Sequence, residues 1–236
     1  MIAIIDTRAP MDIRDSLTAF GYELLPIPQN PRLDEPVSAH PDMRLFILGK
    51  RVFISCEENN ELSDVTEKLS VEGYEIILCS ASLSQKYPND IAFNCAQVGK
   101  HLLGNLKYTA PEILQAAKDE GLSLISVKQG YTKCSTVIVS DNAVITADCS
   151  IGKACIQNGI DVLLISSADG DILLHGYSRG FIGGASGTCG DKIYFCGDLD
   201  SHPDGKSIRE FCKKHKKTAV SLGERRLVDI GSILFV

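Results

Sequence analysis

The feature that most constrains this chain is a repeated order of local signals. Five times a helical stretch gives way to a short apolar run. Helices are expected near Pro10–Phe20, near Glu61–Val71, from Thr109, near Ile151–Gln157 and near Gly205–Lys216. They lead into YELLPI, YEIILC, LSLISV, IDVLLIS and TAVSL. The first four stop at Gly21, Gly73, Gly121 and Gly159, where a left-handed residue ends a helix. Thr109 with Glu112 three residues on reads as a capping box. Hairpins lie between these units and turn at Gly49-Lys50, Gly99-Lys100, Asp141-Asn142 and Gly190-Asp191. Those residue types suit tight turns. The turns recur roughly every 40–50 residues, about the length of one supersecondary unit.

A fifth hairpin is missing from this order. The chain begins with MIAIID, one strand with no partner before it, and ends VDIGSILFV, one strand short of a hairpin. If the ends meet, they complete the fifth unit and leave no exposed edge. The reading is therefore an α/β fold of five ββαβ-type repeats, closed as a ring by the N- and C-terminal strands. It forms a single domain over 1–236. With 236 residues, 44% of them hydrophobic, the chain can bury a substantial core. The competing reading is an ordinary α/β sheet whose repeats are accidental.

Charge and cysteine usage narrow the function. A net charge of −6 favours neither nucleic acid nor an anionic membrane as partner. The one basic run, Lys213 to Lys217, falls at the end of an expected helix, where cations are favourable. The apolar start is cut short at Asp6, so no leader peptide is read, and no segment suits a membrane span. The nine cysteines are scattered, odd in number and without a CxxC pair. That pattern argues against a disulfide framework or a structural zinc site, and for a cytoplasmic chain with reduced thiols.

Two short motifs carry chemistry. His40-Pro41-Asp42, followed by Phe46, resembles the His-x-Asp motif of deiminases. Gly130-Tyr131-Thr132-Lys133-Cys134-Ser135-Thr136 resembles the glycine-led motif around their catalytic cysteine. The two lie two repeats apart, as in that family. With the five-fold repeat, they make the chain resemble the pentein superfamily, the five-bladed α/β propellers of the guanidino-group-modifying enzymes. Arginine and agmatine deiminases, dimethylarginine hydrolases and amidinotransferases share this fold. So does the ribosome anti-association initiation factor, which is not an enzyme. The resemblance spans the chain as architecture but is residue-specific in only two or three places. The family's cysteine normally lies close to the C-terminus, so the blade order here is circularly shifted.

The resemblance implies Cys134, His40 and Asp42 as catalytic residues. It implies Asp229, in the final blade, as a carboxylate that grips the guanidinium. The preceding blade usually offers another acid, but GFIGGASGT has none. Asn89 and Asp90, with Asn94 after them, are candidates to line the central pore. Lys133, Arg44 and Arg179 are candidates to hold a substrate carboxylate.

The residue types fit the chemistry. A carboxylate binds a planar guanidinium through two charge-assisted hydrogen bonds. A thiolate is a strong nucleophile when a nearby cation lowers its pKa, a role open to Lys133. An imidazole can protonate a departing amine and then activate water. Asp42 can share a face with His40 or orient its ring. Each residue also has a structural reading: Cys134 as a core thiol, His40 and Asp42 as turn residues, Asp229 as a strand start. The other eight cysteines read as core.

Two further patterns need placing. Asp198, Asp200, His202 and Asp204 alternate like metal-loop ligands, but the EF-hand glutamate and glycine are missing. A loop feeding the fifth helix, with Asp200 or Ser201 near its N-cap, explains them better. Gly176–Gly187 is glycine-rich without a nucleotide-binding pattern, and in a ring it would line the pore. No organic cofactor or metal is expected, because side chains carry this chemistry. The leading expectation is a cysteine-dependent hydrolase or transferase, acting on a small guanidino or amidino substrate in a central cavity. The alternative is a non-catalytic binding module like the initiation factor.

Overall fold

The computed structural model describes residues 1–236. The chain opens with β1 (Ile2–Asp6), α1 (Met11–Ala19) and β2 (Glu23–Ile27). The next unit is α2 (Pro41–Arg44), β3 (Leu45–Leu48), β4 (Arg51–Ser55), α3 (Ser63–Val71) and β5 (Glu75–Cys79). It is followed by β6 (Ala96–Val98), β7 (His101–Gly104), α4 (Pro111–Asp119) and β8 (Ser123–Ser126). Then come β9 (Thr136–Ser140), β10 (Ala143–Thr146), α5 (Cys149–Gln157) and β11 (Asp161–Leu164). Last are β12 (Ser186–Cys189), β13 (Lys192–Phe195), α6 (Gly205–Lys214), β14 (Thr218–Ser221) and β15 (Leu234–Phe235).

These strands form five three-stranded sheets of one design. In each, a strand pairs antiparallel with the middle strand, and a helical crossover returns a third strand parallel to it. The order β3-β4-β5 is typical. The fifth sheet draws on both chain ends. β15 pairs antiparallel with β1 at Ala3↔Phe235 and Ile4↔Leu234, and β1 pairs parallel with β2. No helix is long and apolar enough to cross a membrane.

The core explains why the sheets form a ring. Successive side chains on a strand point to opposite faces, and each middle strand uses both. On β1, Ile2 and Ile4 pack with Leu45, Val52 and Ile54 of the first hairpin unit, whereas Ala3 and Ile5 pack with Tyr194 and Cys196. On β4, Phe53 turns to the cluster holding Leu102. On β7, Leu103 joins Val144. On β10, Ile145 joins Ile193 and Phe195. Five apolar clusters thus connect five sheets, each sheet sharing two, and the order returns to its start. All five β1 residues are buried, because both faces are covered.

Local details differ from the sequence reading in places. The first four helix stops hold: Gly21, Gly73, Gly121 and Gly159 all have positive φ. The fifth repeat has Lys216 in that conformation, at φ 58°, so a lysine stands where the others have glycine. The capping box at Thr109 and Glu112 is not formed. The α4 N-cap is Ala110, and Glu112 instead accepts the backbone N–H of Ser80 from the neighbouring unit. At α6 the N-cap is Asp204, not Asp200 or Ser201. Cys56 and Cys149 are exposed rather than core.

Candidate active site

A short connecting segment lies ahead of each of the strands β3, β6, β9, β12 and β15, taking the form of α2 before β3. The five segments converge. They contribute Asp42 on α2, Asn94, Cys134, the Gly183-Gly184 pair, and Asp229 with Ser232. Residues of all five strands, together with Asp42 and Lys133, also line one cavity of about 370 Å³; Ile47, Gln97, Ile138, Thr188 and Leu234 represent them.

Cys134 sits in a turn ahead of β9, and only 3% of it is exposed. Its Sγ donates to Asp42 Oδ1 at 3.2 Å and receives a hydrogen bond from Asn94 Nδ2 at 3.0 Å. Asn94 connects three segments. Its Nδ2 also donates to the Asp42 carbonyl, and its Oδ1 accepts the backbone N–H groups of Lys133 and Cys134. On the other side, Ser232 Oγ lies 2.6 Å from Asp42 Oδ2 and 3.0 Å from the Gly183 carbonyl. Its single hydrogen serves one of them at a time.

Because the segment is a turn, Lys133 donates not to the sulfur beside it but to Ser232 Oγ at 2.8 Å. Burial pulls its pKa below the ordinary lysine value. The thiol pKa is pushed well up, first by burial and then by the charges of Asp42 and Asp229. The resting sulfur is therefore a protonated donor, not a thiolate.

His40 is 2% exposed and belongs to a second layer. Its Nδ1 lies 3.9 Å from Asp229 Oδ1 and its Nε2 3.9 Å from Asp6 Oδ2. Asp42 turns to the sulfur and Ser232 instead of orienting the imidazole. Asp6 is held by Arg8, and Asp229 accepts the backbone N–H groups of Phe181 and Gly231 at 2.8 and 3.0 Å. Burial raises the Asp229 pKa, nearby His40 lowers it, and Asp42 raises it again. Close approach explains the glycines. A Cβ on Gly184 would lie 2.0 Å from Asp229 Oδ1, and one on Gly231 would lie 2.1 Å from the His40 Cβ. The acid missing from GFIGGASGT has no room, because the Asp229 carboxylate occupies that space.

Other expected site residues lie elsewhere. Arg44 is fully buried and its Nε donates to Glu58 at 2.6 Å, while Nη1 donates to the Pro28 carbonyl. It is a structural ion pair, not a substrate clamp. Asn89 is exposed on a loop, its backbone bonded to Lys86 and Ser84, and does not reach the cluster. Asp90 is buried near the cysteine segment: Tyr131 Oη donates to its Oδ2 at 2.6 Å, and its Oδ1 has no partner. Burial raises its pKa, against the Tyr131 bond. The Asp198–Asp204 stretch is used by local bonds: Asp198 accepts Asp200 N–H, Asp200 pairs with Arg209, and Asp204 accepts from Ser166. Within the Gly176–Gly187 stretch, Arg179 is exposed, away from the cluster.

Two partners of this site carry no motif in the sequence: Asn94 follows Asn89-Asp90 as a pore-lining candidate only, and Ser232 has no pattern that marks it. Ser232 has a signal only in conformation, a non-glycine residue at φ 69° directly after Gly231 at φ 70°.

The chain belongs to a family of unknown function (DUF6873), which matches residues 4–234. No curated protein matches the sequence. Among solved structures, dimethylarginine dimethylaminohydrolase from Pseudomonas aeruginosa, complexed with citrulline, is similar at 12% identity and TM-score 0.58, over 93% of this chain and 90% of that chain. SxtG, an amidinotransferase of saxitoxin biosynthesis from Microseira wollei, is similar at 9% identity and TM-score 0.57, over 94% and 80%. The N-terminal domain of ArgZ, a cyanobacterial arginine dihydrolase, is similar at 12% identity and TM-score 0.56, over 94% and 79%. These likenesses establish the pentein fold.

Proposed function

We propose, for this member of the family, a cysteine-dependent hydrolase or amidinotransferase acting on a small guanidino or amidino compound. The observation that carries the reading is the 3.2 Å contact between Cys134 Sγ and Asp42 Oδ1, at the point where the five segments converge. The solved structures of similar fold include a dimethylarginine dimethylaminohydrolase and amidinotransferases, which supports the same general chemistry here. Entry through the cavity that Asp42 and Lys133 line would bring a substrate to this point.

A cationic guanidinium or amidinium is drawn to Asp42 and Asp229. Its charge offsets the two carboxylates that hold the thiol pKa up, so Cys134 loses its proton only once substrate is bound. Asp42, already the acceptor of the S–H, takes that proton. The sulfur then forms a bond to the central carbon, and the C–N bond to the leaving amine breaks as His40 supplies a proton. In hydrolysis, His40 next removes a proton from water. The water oxygen attacks the carbon, the C–S bond breaks, and the departing sulfur takes back the proton that Asp42 held. In transfer, a second amine replaces the water. All nine cysteines are free, which supports a reducing compartment, the cytoplasm.

The buried, protonated sulfur and the missing acid before β12 favour a second reading, a non-catalytic pentein binding module. One experiment separates the two. Wild type and Cys134→Ser are incubated with a panel of guanidines and amidines, with products and adducts followed by mass spectrometry. Turnover or a covalent adduct on Cys134 that Cys134→Ser abolishes is the expected result. An inert Cys134 with every compound would overturn the catalytic reading in favour of the binding module.

A further inference from the structure

A second cavity, of about 320 Å³, opens between the third and fourth sheets. Its size falls at the lower end of small-molecule sites, ~300–1,000 Å³. Neither Asp42 nor Lys133 lines it, and its polar wall includes Ser135, Asp148, Asp171, Arg179 and His202.

Two of these residues are buried with a polar atom unused. His202 is 3% exposed, and its Nδ1 accepts the Asp204 backbone N–H at 3.0 Å. That bond puts the proton of the neutral ring on Nε2, and burial favours the neutral ring. Nε2 has no partner. Ser135 is also 3% exposed, and its Oγ has no partner either. A buried donor left unpaired destabilises the fold by its full desolvation penalty. Two on one cavity wall point to something that fills the cavity and bonds them.

The charges around them define its class. Arg179 is exposed at the rim, with Nη1 bonded only to the Ser167 carbonyl and no carboxylate within ion-pair range. It and the His202 Nε2–H both seek an acceptor. Asp171 uses one oxygen, on the Ala168 N–H, and keeps the other for a donor. Asp148 is already engaged by Gln129 and the α5 N-terminus. A doubly charged anion would meet two carboxylates and a single guanidinium. A molecule with one charge of each sign matches the wall. Ile165, Ile172 and Phe181 supply an apolar side for its body.

We propose that this cavity binds a small zwitterion of the amino-acid class, its carboxylate on Arg179, the His202 Nε2–H and the Ser135 hydroxyl, and its ammonium on Asp171. The site is separate from the Cys134 cluster, although Ser135 follows Cys134 and the Phe181 backbone also holds Asp229.

Isothermal titration with glycine, L-alanine and L-serine, against acetate and methylamine, tests this. Saturable binding of an amino acid is expected in wild type and in Asp42→Asn. Affinity should fall by roughly tenfold or more in Arg179→Ala, and acetate and methylamine should bind at least that much more weakly. Arg179 is exposed, so its loss leaves the fold intact, and Ser135→Ala offers a near-isosteric second probe. No saturable binding of any amino acid, or binding unchanged in both variants, would overturn the proposal. So would a crystal soaked in the tightest binder that shows only water in the cavity. Binding abolished by Asp42→Asn would also overturn it by moving the ligand to the Cys134 site, leaving the proposed function untouched.

Discussion

The segments ahead of β9 and β12 occupy equivalent places in two adjacent sheets and do opposite things. The first brings a side chain inward: Cys134, with its sulfur bonded to Asp42 and Asn94. The second is bare at Gly183 and Gly184: backbone of the Cys134 segment lies against Gly183, and Asp229 from the next sheet takes the space at Gly184. The comparison teaches that the ring offers five equal positions around one point, but not five equal volumes. A group gained at one position is matched by a group removed at its neighbour. The Cys134 sulfur and the Asp229 carboxylate both fit near that point because glycine stands between them.

The strongest way to break the comparison is at the sulfur. Under the proposed chemistry, Cys134→Ser should lower turnover by about 10⁴-fold or more. A steady-state assay checks this, and the stability of the variant should stay close to wild type. Filling the glycine position comes next. Gly184→Ala sets a methyl group 2.0 Å from Asp229 Oδ1. Overpacking against a buried carboxylate should cost about 3 kcal/mol, read from the denaturation midpoint. An unchanged midpoint would show that Asp229 moves aside freely.

Asn94→Ala sharpens the first half of the comparison. It removes the amide that bonds the sulfur, the Asp42 carbonyl and two backbone N–H groups. Unpaired buried groups should cost about 2 kcal/mol, and a double-mutant cycle with Cys134→Ser should show coupling. The smallest effect concerns pH. The folded-state pKa of Cys134 is raised above its unfolded value, so the folded state holds the proton longer. Stability from this group is full below the ordinary thiol pKa of about 8.5 and is lost as pH rises through the higher folded value. Serine does not titrate there. Melting curves of wild type and Cys134→Ser should run parallel near neutrality and diverge in alkali, with wild type falling faster. Curves parallel throughout would mean that the sulfur is not held as a thiol.

Much of the fold was legible in the sequence, because the signals that set it are local and repeated. Left-handed helix stops and two-residue turns recur in one order, and a residue type carries each. The misses are places where a neighbouring unit intervenes. Glu112 has the spacing of a capping box, yet Ser80 of the next sheet offers its N–H instead. The site was legible only as far as motif residues go. Cys134, Asp42, His40 and Asp229 are named by pattern, and the fold brings them near one another. Pattern does not give direction. Arg44 lies two residues after Asp42, but α2 turns it outward from the cluster to Glu58. Lys133 adjoins Cys134 but aims at Ser232. Ser232 itself has no motif, since its role comes from a left-handed backbone that the sequence does not mark.

The sheet shared by the two chain ends acts as a clasp during synthesis. As the chain leaves the ribosome, the edge of β1 that takes Leu234 and Phe235 stays open until those residues have been made. Ile2 and Ile4 find the first hairpin unit early, but Ala3 and Ile5 wait for Tyr194. The nascent chain therefore carries an unpaired strand edge from the synthesis of β1 to that of β15, the kind of edge that recruits other chains.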